Sequence, residues 1–518
     1  MDQAMRRLLN LGLPTFMLGA VLAAAGCRSA TVPPLPEPLS ASASAAQAEI
    51  GSGACKRRRN DTIDKLEQCI RLDSLWKHLA QFALIADEHP GKLGHPNRNI
   101  GTPGYAASVA YVAKTMREAG YRVKIQTYVY DLNEIAGAPS LRERGHSYAY
   151  QRDWFVARLS GSGTLTGAVE PPRAGRDGCD SHDFSGFRRG AIALLGKNDC
   201  DFDSQVANAQ AAGAGAVILY DAQREAYEAR LVDRARIPVI GTLSPQIAHG
   251  LLREYLAGRA PAVQIELHDR SRSGHDYNVI ADAPYGNPSR TVVVEGHLDS
   301  IYGAGMLDNA SGSATILEIA LALAKTPTRN HLRFVWFGGE EVGLLGSRYY
   351  TKHLSPEELH KIAFDVDADV TATPNYDILI ADPANANKVD KFPPNVVRES
   401  KIGNAYFAHY FKNSGIIFRD FRHGNNGTDS LSFALAGVPN TGILTAQDCC
   451  KRHWETALWG GFLGNYEGKI PSFNGGCVDR PHRWCDNLSN NDPFVFVLVS
   501  KAVAYVTFEL ANRANFKR

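Results

Sequence analysis

One stretch of the chain, residues 291–350, constrains the fold more than any other. It contains the apolar run TVVVEGHLDS, a loop of small residues (GAGMLDNASG), a helical apolar pattern over residues 311–324 and a second apolar run, HLRFVWFGGEE. Continuous apolar runs of this length are typical of strands buried on both faces of a parallel sheet, and an intervening helix makes a strand, helix, strand unit. The sequence therefore predicts an α/β fold with both strand ends at one edge of the sheet.

Acidic and imidazole side chains follow both of these predicted strands. His297 and Asp299 end the first strand, Asp308 lies in the loop, and Glu340 and Glu341 end the second strand. A lone buried histidine is usually a hydrogen-bonded core residue, but this one is accompanied by carboxyl groups. Two adjacent carboxylates point in different directions, so that one can bind a metal ion while the other handles protons. The stretch therefore predicts a metal or acid/base site.

Two later segments offer further ligands for such a site. The run KIAFDVDADV places Asp365, Asp367 and Asp369 at alternating positions, which would share one face if the strand stays extended. Near the C-terminus, GGCVDRPHRWCDNLSNND holds His482 between two cysteines, and a bridge there would hold the imidazole still. Nitrogen and oxygen ligands of this kind suit zinc and tolerate manganese or cobalt.

The N-terminus carries an export signal. Arg6 and Arg7 precede an apolar stretch that ends in LAAAGC at Cys27, which resembles a bacterial lipoprotein signal peptide, although Ala24 stands where leucine is commoner. An acylated Cys27 would tether the protein to a membrane through residues 28–52, a predicted flexible linker rich in proline, serine and alanine. A plain signal peptide is the first alternative. A retained transmembrane helix is the second, and the apolar run is short for it.

Cysteine content and charge agree with an exported protein. Nine cysteines, less Cys27, leave an even number, which suits disulfides in an oxidising compartment, and the chain contains no CxxC pair of the kind that binds zinc. The formal net charge of +2 argues against a nucleic-acid partner held by bulk charge, and the basic run over residues 56–59 is read as a solvated surface. Plausible bridges by sequence distance are Cys55 with Cys69, Cys179 with Cys200, and Cys477 with Cys485, while the pairing of Cys449 and Cys450 stays open. We therefore expect an envelope lipoprotein, facing the periplasm or on the outer membrane, or a secreted protein.

Changes in the hydrophobic pattern along the chain predict five segments. The signal peptide (1–27) and the linker (28–52) are followed by residues 53–151, which are predicted to be mainly helical and to end in a strand with alternating apolar residues. Residues 152–268 alternate short strands with glycine-rich turns, and residues 269–518 again show the pattern of alternating strands and helices. The segment 152–268 resembles a protease-associated domain through DFSGFRRGAIALLGK and IPVIGTLSPQIAHGLL. That resemblance implies a small β-rich insert beside a peptidase active site, without catalytic residues of its own.

Five motifs in order carry a wider resemblance. HLDS, GMLDNASG, FGGEEVGLLGS, FDVDADVTATPN and HRWCDNLSN, together with GTPGY and the insert, resemble the secreted co-catalytic dizinc aminopeptidases, metallopeptidase family twenty-eight. The resemblance implies a zinc exopeptidase fold, with a mixed, mostly parallel central sheet flanked by helices. It also implies an enzyme with two zinc ions that removes the first residue from peptides or proteins with an open N-terminus, and a cis peptide bond between Asp308 and Asn309.

The resemblance also assigns roles to residues. Asp308 would bridge the two zinc ions, His297 and Asp369 would complete one ion, and Glu341 and His482 would complete the other. Asp369 is chosen because DVTATPN aligns with the family's aspartate and the turn after it.

Other residues would support or drive the reaction. Glu340 would be the general base. Asp367 is the alternative to Asp369, at a position where the family often has asparagine. Asp299 would orient an imidazole, and Asp429 would lie behind the ligands in GNNGTDSLSFALAGVP, which resembles an SDH-like turn with Ser430 in place of histidine.

The sequence departs from the family pattern at one position, and two other functions remain possible at this stage. Pro481 stands where some relatives place a tyrosine that stabilises the oxyanion. Arg480, Tyr302 and His423 could replace that tyrosine, and the sequence does not rank them. A glutaminyl-cyclase-like acyltransferase on the same fold would use one zinc and commonly lacks an insert. A binding member without catalysis should have lost ligands, and none is missing.

Overall fold

The computed structural model describes residues 52–516 except 92–95, 151, 158, 198–199, 201, 221–230, 232–233, 244, 302, 383–391, 423–427, 448–450, 465 and 467–485. The predicted signal peptide, nearly all of the linker, and His482 with Cys449, Cys450, Cys477 and Cys485 lie outside the described residues. The predictions that concern them stay predictions.

Thirteen helices and sixteen strands make up this part of the chain. The helices are α1 (Ser52–Cys55), α2 (Ile63–Glu67), α3 (Leu72–Glu88), α4 (Pro103–Ala119), α5 (Phe202–Ala211), α6 (Pro245–Leu256), α7 (Ala310–Leu323), α8 (Leu345–Lys352), α9 (Pro356–Lys361), α10 (Pro394–Asn413), α11 (Ser430–Leu435), α12 (His453–Trp459) and α13 (Pro493–Asn512). The strands are β1 (Arg122–Ile135), β2 (Ser140–Glu143), β3 (His146–Tyr148), β4 (Trp154–Val156), β5 (Gly163–Glu170), β6 (Ile192–Gly196), β7 (Ala216–Tyr220), β8 (Val239–Thr242), β9 (Ala262–Leu267), β10 (Asp269–Asp282), β11 (Asn287–His297), β12 (Asn330–Phe337), β13 (Ile362–Ala368), β14 (Leu379–Asp382), β15 (Arg419–Arg422) and β16 (Asn440–Leu444).

The larger unit is built on an eight-stranded sheet in the order β1, β10, β12, β11, β13, β16, β14, β15. The four central strands β12, β11, β13 and β16 are parallel, whereas β10 and β1 on one side and β14 on the other run antiparallel to their inner neighbours. The mixed, mostly parallel sheet that the family resemblance implies is confirmed, and so is the α/β fold predicted from the apolar runs. Its parallel strands bring the ends of β11, β12 and β13 to one edge, where the motif residues follow them.

Two apolar helices cover one face of this sheet. Every residue of α7 is buried, and α13 contributes eleven buried residues to the same core. Among the described residues α13 alone is long and apolar enough to cross a membrane, but most of it is buried in this core. Burial on all sides explains why α7 shows no polar stripe.

A second eight-stranded sheet, in the order β3, β2, β9, β5, β6, β7, β8, β4, forms the insert. The chain leaves and re-enters the larger unit at neighbouring points, because β1 and β10 pair along their whole length and Ile135 lies opposite Asp269. The second sheet already begins at Ser140, upstream of residue 152. The domain boundaries given above, 53–151, 152–268 and 269–518, stay predictions.

Two disulfide bridges join Cys55 to Cys69 and Cys179 to Cys200, as predicted from their spacing. The first joins the end of α1 to the turn after α2, and the second lies in the insert. Disulfides persist in oxidising compartments, so both bridges fit an extracytoplasmic protein.

Candidate metal centre

His297 is the last residue of β11 and is almost completely buried, at 1% exposure. Its Nδ1 lies 3.1 Å from the Asp299 carbonyl, and its Nε2 faces the Oδ1 atoms of Asp308 at 3.1 Å and Asp369 at 3.3 Å. When the Nδ1–H donates to the carbonyl, the lone pair of Nε2 points toward the two carboxylates. The strand end thus presents the nitrogen that a metal ion would use.

The turn that carries Asp308 is held from behind by Asn309. This asparagine caps α7 by accepting from the Gly312 amide at 2.8 Å, and its Nδ2 donates to the Ala368 carbonyl at 3.0 Å. Gly312 is needed at this close approach, since a Cβ there would lie 2.0 Å from the Ala368 oxygen. The peptide bond between Asp308 and Asn309 is cis, as expected. These contacts tie the Asp308 turn to the end of β13.

Asp369 does not lie in a strand, contrary to the prediction that the alternating aspartates share one extended face. β13 ends at Ala368, and Val370 adopts the left-handed conformation, with φ of 52°. The Val370 amide donates to Asn309 Oδ1 at 3.1 Å, so the chain bends around the Asn309 side chain instead of continuing the strand. The bend leaves Asp369 at the strand end beside His297.

Asp367, the alternative to Asp369, occupies a different environment. It lies inside β13, opposite Glu295 of β11, and its Oδ2 accepts from the Thr428 hydroxyl at 2.8 Å. Burial and the neighbouring Asp369 carboxylate raise the pKa of Asp367 to about 8. The geometry therefore favours Asp369 as the carboxylate that faces His297 Nε2.

His297, Asp308 and Asp369 form a group that could hold a metal ion. One ligand atom from each lies within 4.8 Å of the others. Within the described part of the chain, the buried Oδ1 of Asp369 has no hydrogen-bond partner, which is expected of an oxygen that awaits a cation. Burial lowers the pKa of His297, but the carboxylates of Asp369, Asp299 and Asp308 raise it well above its usual range. A centre that favours positive charge, with nitrogen and oxygen donors, fits zinc.

Glu340 and Glu341 follow β12 across the glycine pair Gly338 and Gly339, where Gly339 has φ of 68°. The Glu340 amide donates to Asp299 Oδ1 at 3.2 Å, and its carbonyl accepts from two later amides. Its Oε2 lies 4.0 Å from His297 Nε2. Both glutamates are buried, so the second strand brings two carboxylates to the edge that His297 occupies.

Asp299 and Asp429, the predicted supporting residues, are both fully buried. Asp299 contacts His297 mainly through its carbonyl, since its carboxylate Oδ1 is 3.5 Å from Nδ1 and accepts instead from the Glu340 amide. Asp429 is the N-cap residue just before α11, and burial, followed by the charge of Glu340, raises its pKa well above its usual range. Asp299 thus links the histidine to Glu340, whereas the supporting role of Asp429 stays a prediction.

The sequence did not predict that two further buried residues belong to this site. Asp486 accepts from the Leu307 and Asp308 amides, and Arg98 donates to three carbonyls of the loop between His297 and Asp308. Asp486 lies four residues after His482 in the quoted motif HRWCDNLSN, so a signal for it existed. Arg98, just before GTPGY, carried none.

Comparison with known proteins identifies the family of this chain. The profile described as Peptidase family M28 matches residues 278–507, and that of the PA domain matches 162–248. An aminopeptidase of Pseudomonas aeruginosa is 31% identical over 463 residues, which cover 85% of this chain and 81% of the relative. The chain belongs to peptidase family M28. The predicted family and the protease-associated insert are confirmed.

Two other aminopeptidases are more distantly similar to this chain. A probable lipoprotein aminopeptidase of Mycobacterium tuberculosis, LpqL, is 29% identical over 422 residues, which cover 79% of this chain and 82% of the relative. The solved structure of a zinc aminopeptidase from Bacillus subtilis, 21% identical, superposes with a TM-score of 0.54 and covers 87% of this chain and 97% of its own. The second comparison supports the fold.

Proposed function

We propose that the protein is a dizinc aminopeptidase that removes the first residue from peptides. That it is a metallo-aminopeptidase of family M28 acting on peptides follows from the family assignment. The number of zinc ions and the roles of individual residues go beyond the family assignment and are what we propose. The observation that carries this proposal is the group of His297, Asp308 and Asp369, with Glu340 Oε2 4.0 Å from His297 Nε2.

The ligand assignment follows the sequence motifs. His297 and Asp369 would hold one zinc ion, Glu341 and His482 the other, and Asp308 both. Support comes from Asp308 and Asp369, whose Oδ1 atoms both face His297 Nε2. Zinc at this position would lower the pKa of a bound water and polarise the scissile carbonyl.

Glu340 is the proposed general base. Its carboxylate would take a proton from the attacking water and pass it to the amine that leaves. The Asp299 carboxylate holds the Glu340 backbone, and the Asp299 carbonyl holds His297, so one residue fixes the distance between base and ligand. Burial of both glutamates keeps competing water away.

A positively charged amine is the substrate group that this site should select. The carboxylates of Glu340 and Asp369 would favour an ammonium group beside the scissile bond. A peptide with an acetylated N-terminus loses that charge. We therefore expect the enzyme to release the first residue of an unblocked peptide and to cleave its acetylated counterpart at less than about a hundredth of that rate.

The comparison uses one peptide in both forms, with amino acid release measured by chromatography at equal enzyme concentration. The unblocked peptide after chelator treatment serves as the control for metal dependence. Equal turnover of the two forms would contradict the aminopeptidase assignment. Cyclisation of an N-terminal glutamine without release of a residue would favour the acyltransferase alternative.

We also propose an envelope location. LpqL, a relative of similar length, is named as a probable lipoprotein, and the lipoprotein-like LAAAGC sequence at Cys27 would supply the acylation site. The two disulfides support passage through an oxidising compartment. Labelling with a radioactive fatty acid in the native and Cys27→Ser proteins tests the tether.

A further inference from the structure

Arg98 is a fully buried arginine whose guanidinium group donates to three backbone carbonyl oxygens. Its Nε donates to the Ala304 carbonyl at 2.8 Å, and its two terminal nitrogens donate to Leu298 at 2.7 Å and Gly305 at 2.9 Å. The backbone joins as well, because the Ser300 amide donates to the Arg98 carbonyl at 3.2 Å. Arg98 therefore contacts the first part of the loop that separates His297 from Asp308, from Leu298 to Gly305.

Asp486 holds the other end of the same loop. Its Oδ1 accepts from the Leu307 amide at 2.9 Å, and its Oδ2 accepts from the Asp308 amide at 3.0 Å. Asn490 donates to Asp486 Oδ1 at 3.1 Å and fixes the carboxylate from the opposite side. Five charge-assisted bonds from two residues far apart in sequence thus hold the backbone of this loop at five positions, Leu298, Ala304, Gly305, Leu307 and Asp308.

The buried position of Arg98 explains why its hydrogen bonds contribute to stability. Arg98 is 0% exposed and carries a cation into the core, where the nearby carboxylates of Asp299, Asp486 and Asp308 stabilise its charge. Burying such a charge is costly unless it is fully hydrogen-bonded, so the loop and the guanidinium group order each other. The Phe82 ring lies under the guanidinium carbon at 5.1 Å.

We propose that Arg98 and Asp486 are positioning residues that set the affinity of the metal centre by fixing the Asp308 carboxylate against His297 and Asp369. Because Arg98 lies just before α4, this part of the chain also contributes to the metal centre. The inference rests on the proposed metal function. Residues that orient ligands from behind typically change metal affinity by about 10- to 100-fold when replaced.

The test compares three single variants of the whole protein by titrating the metal-free form with zinc against a chromophoric chelator. Arg98→Lys keeps the charge but cannot reach three carbonyls, and Asp486→Asn keeps the size but places an amide group toward the Leu307 and Asp308 amides. Arg333→Lys is the matched control. Arg333 lies in β12 and donates to the Asp282 carboxylate and the Tyr350 hydroxyl, and neither of these contacts involves the loop that carries Asp308.

We expect Arg98→Lys and Asp486→Asn to weaken zinc binding by about 10- to 100-fold and to lower kcat more than they change KM. Arg333→Lys should lower the melting temperature yet bind zinc as the native protein does. Zinc affinities for Arg98→Lys and Asp486→Asn within about threefold of that of Arg333→Lys would overturn the inference. If Arg98→Lys does not fold, the Asp486→Asn affinity decides alone. A native protein that binds no zinc would overturn the proposed function itself.

Discussion

Replacement of Glu340 by glutamine is expected to lower kcat by about 10²- to 10⁴-fold, the range of a general base, while zinc content stays that of the native protein. The reason is geometric. The Glu340 backbone is held by Asp299, and its carboxylate lies 4.0 Å from His297 Nε2, so glutamine can fill the same space without accepting a proton.

Glu357→Gln is the matched control for this experiment, because Glu357 forms an exposed ion pair with Lys361 on α9. It should retain native kcat and native stability within about 0.5 kcal/mol. Zinc content is measured by plasma mass spectrometry and kcat with a peptide substrate. If Glu340→Gln loses zinc or keeps the native kcat, Glu340 is not the general base.

Replacement of Asp369 by asparagine should lower the zinc stoichiometry and reduce activity by at least about a hundredfold, since one carboxylate ligand is lost. The same change at Asp367 should leave zinc binding within about threefold of native, because that side chain accepts from Thr428 and stays inside β13. The pair of variants therefore decides between the two carboxylates that the alternating sequence offers.

The readout is again direct zinc titration of the metal-free protein, together with the melting temperature of each variant. Asp367→Asn is the control for burial, because Asp367 is the more deeply buried of the two and its replacement changes the same chemical group. If Asp367→Asn loses zinc and Asp369→Asn does not, the ligand assignment is reversed.

Much of the fold could be predicted because the decisive signals are local. The apolar runs before His297 and Glu340 are buried parallel strands, and the small-residue loop before α7 places Asp308 at their common edge. Spacing of the cysteines was equally informative, as Cys55 pairs with Cys69 and Cys179 with Cys200. Each of these features depends on residues close together in the chain.

The remainder depends on contacts that spacing does not encode. The strand that was expected to include Asp369 stops at Ala368 because Asn309, sixty residues earlier, binds the Val370 amide through its side chain. Arg98 lies about two hundred residues from the loop that it holds, so no local pattern marks it as part of the site. Buried polar partners of this kind are visible only once the chain is folded.

The central claim, a dinuclear centre that drives aminopeptidase activity, is tested most directly by adding zinc stepwise to the metal-free protein and following amino acid release from an unblocked peptide. The account predicts that activity rises with added zinc and levels off at two equivalents per chain. Full activity in the absence of metal, or a plateau at one equivalent, would contradict it.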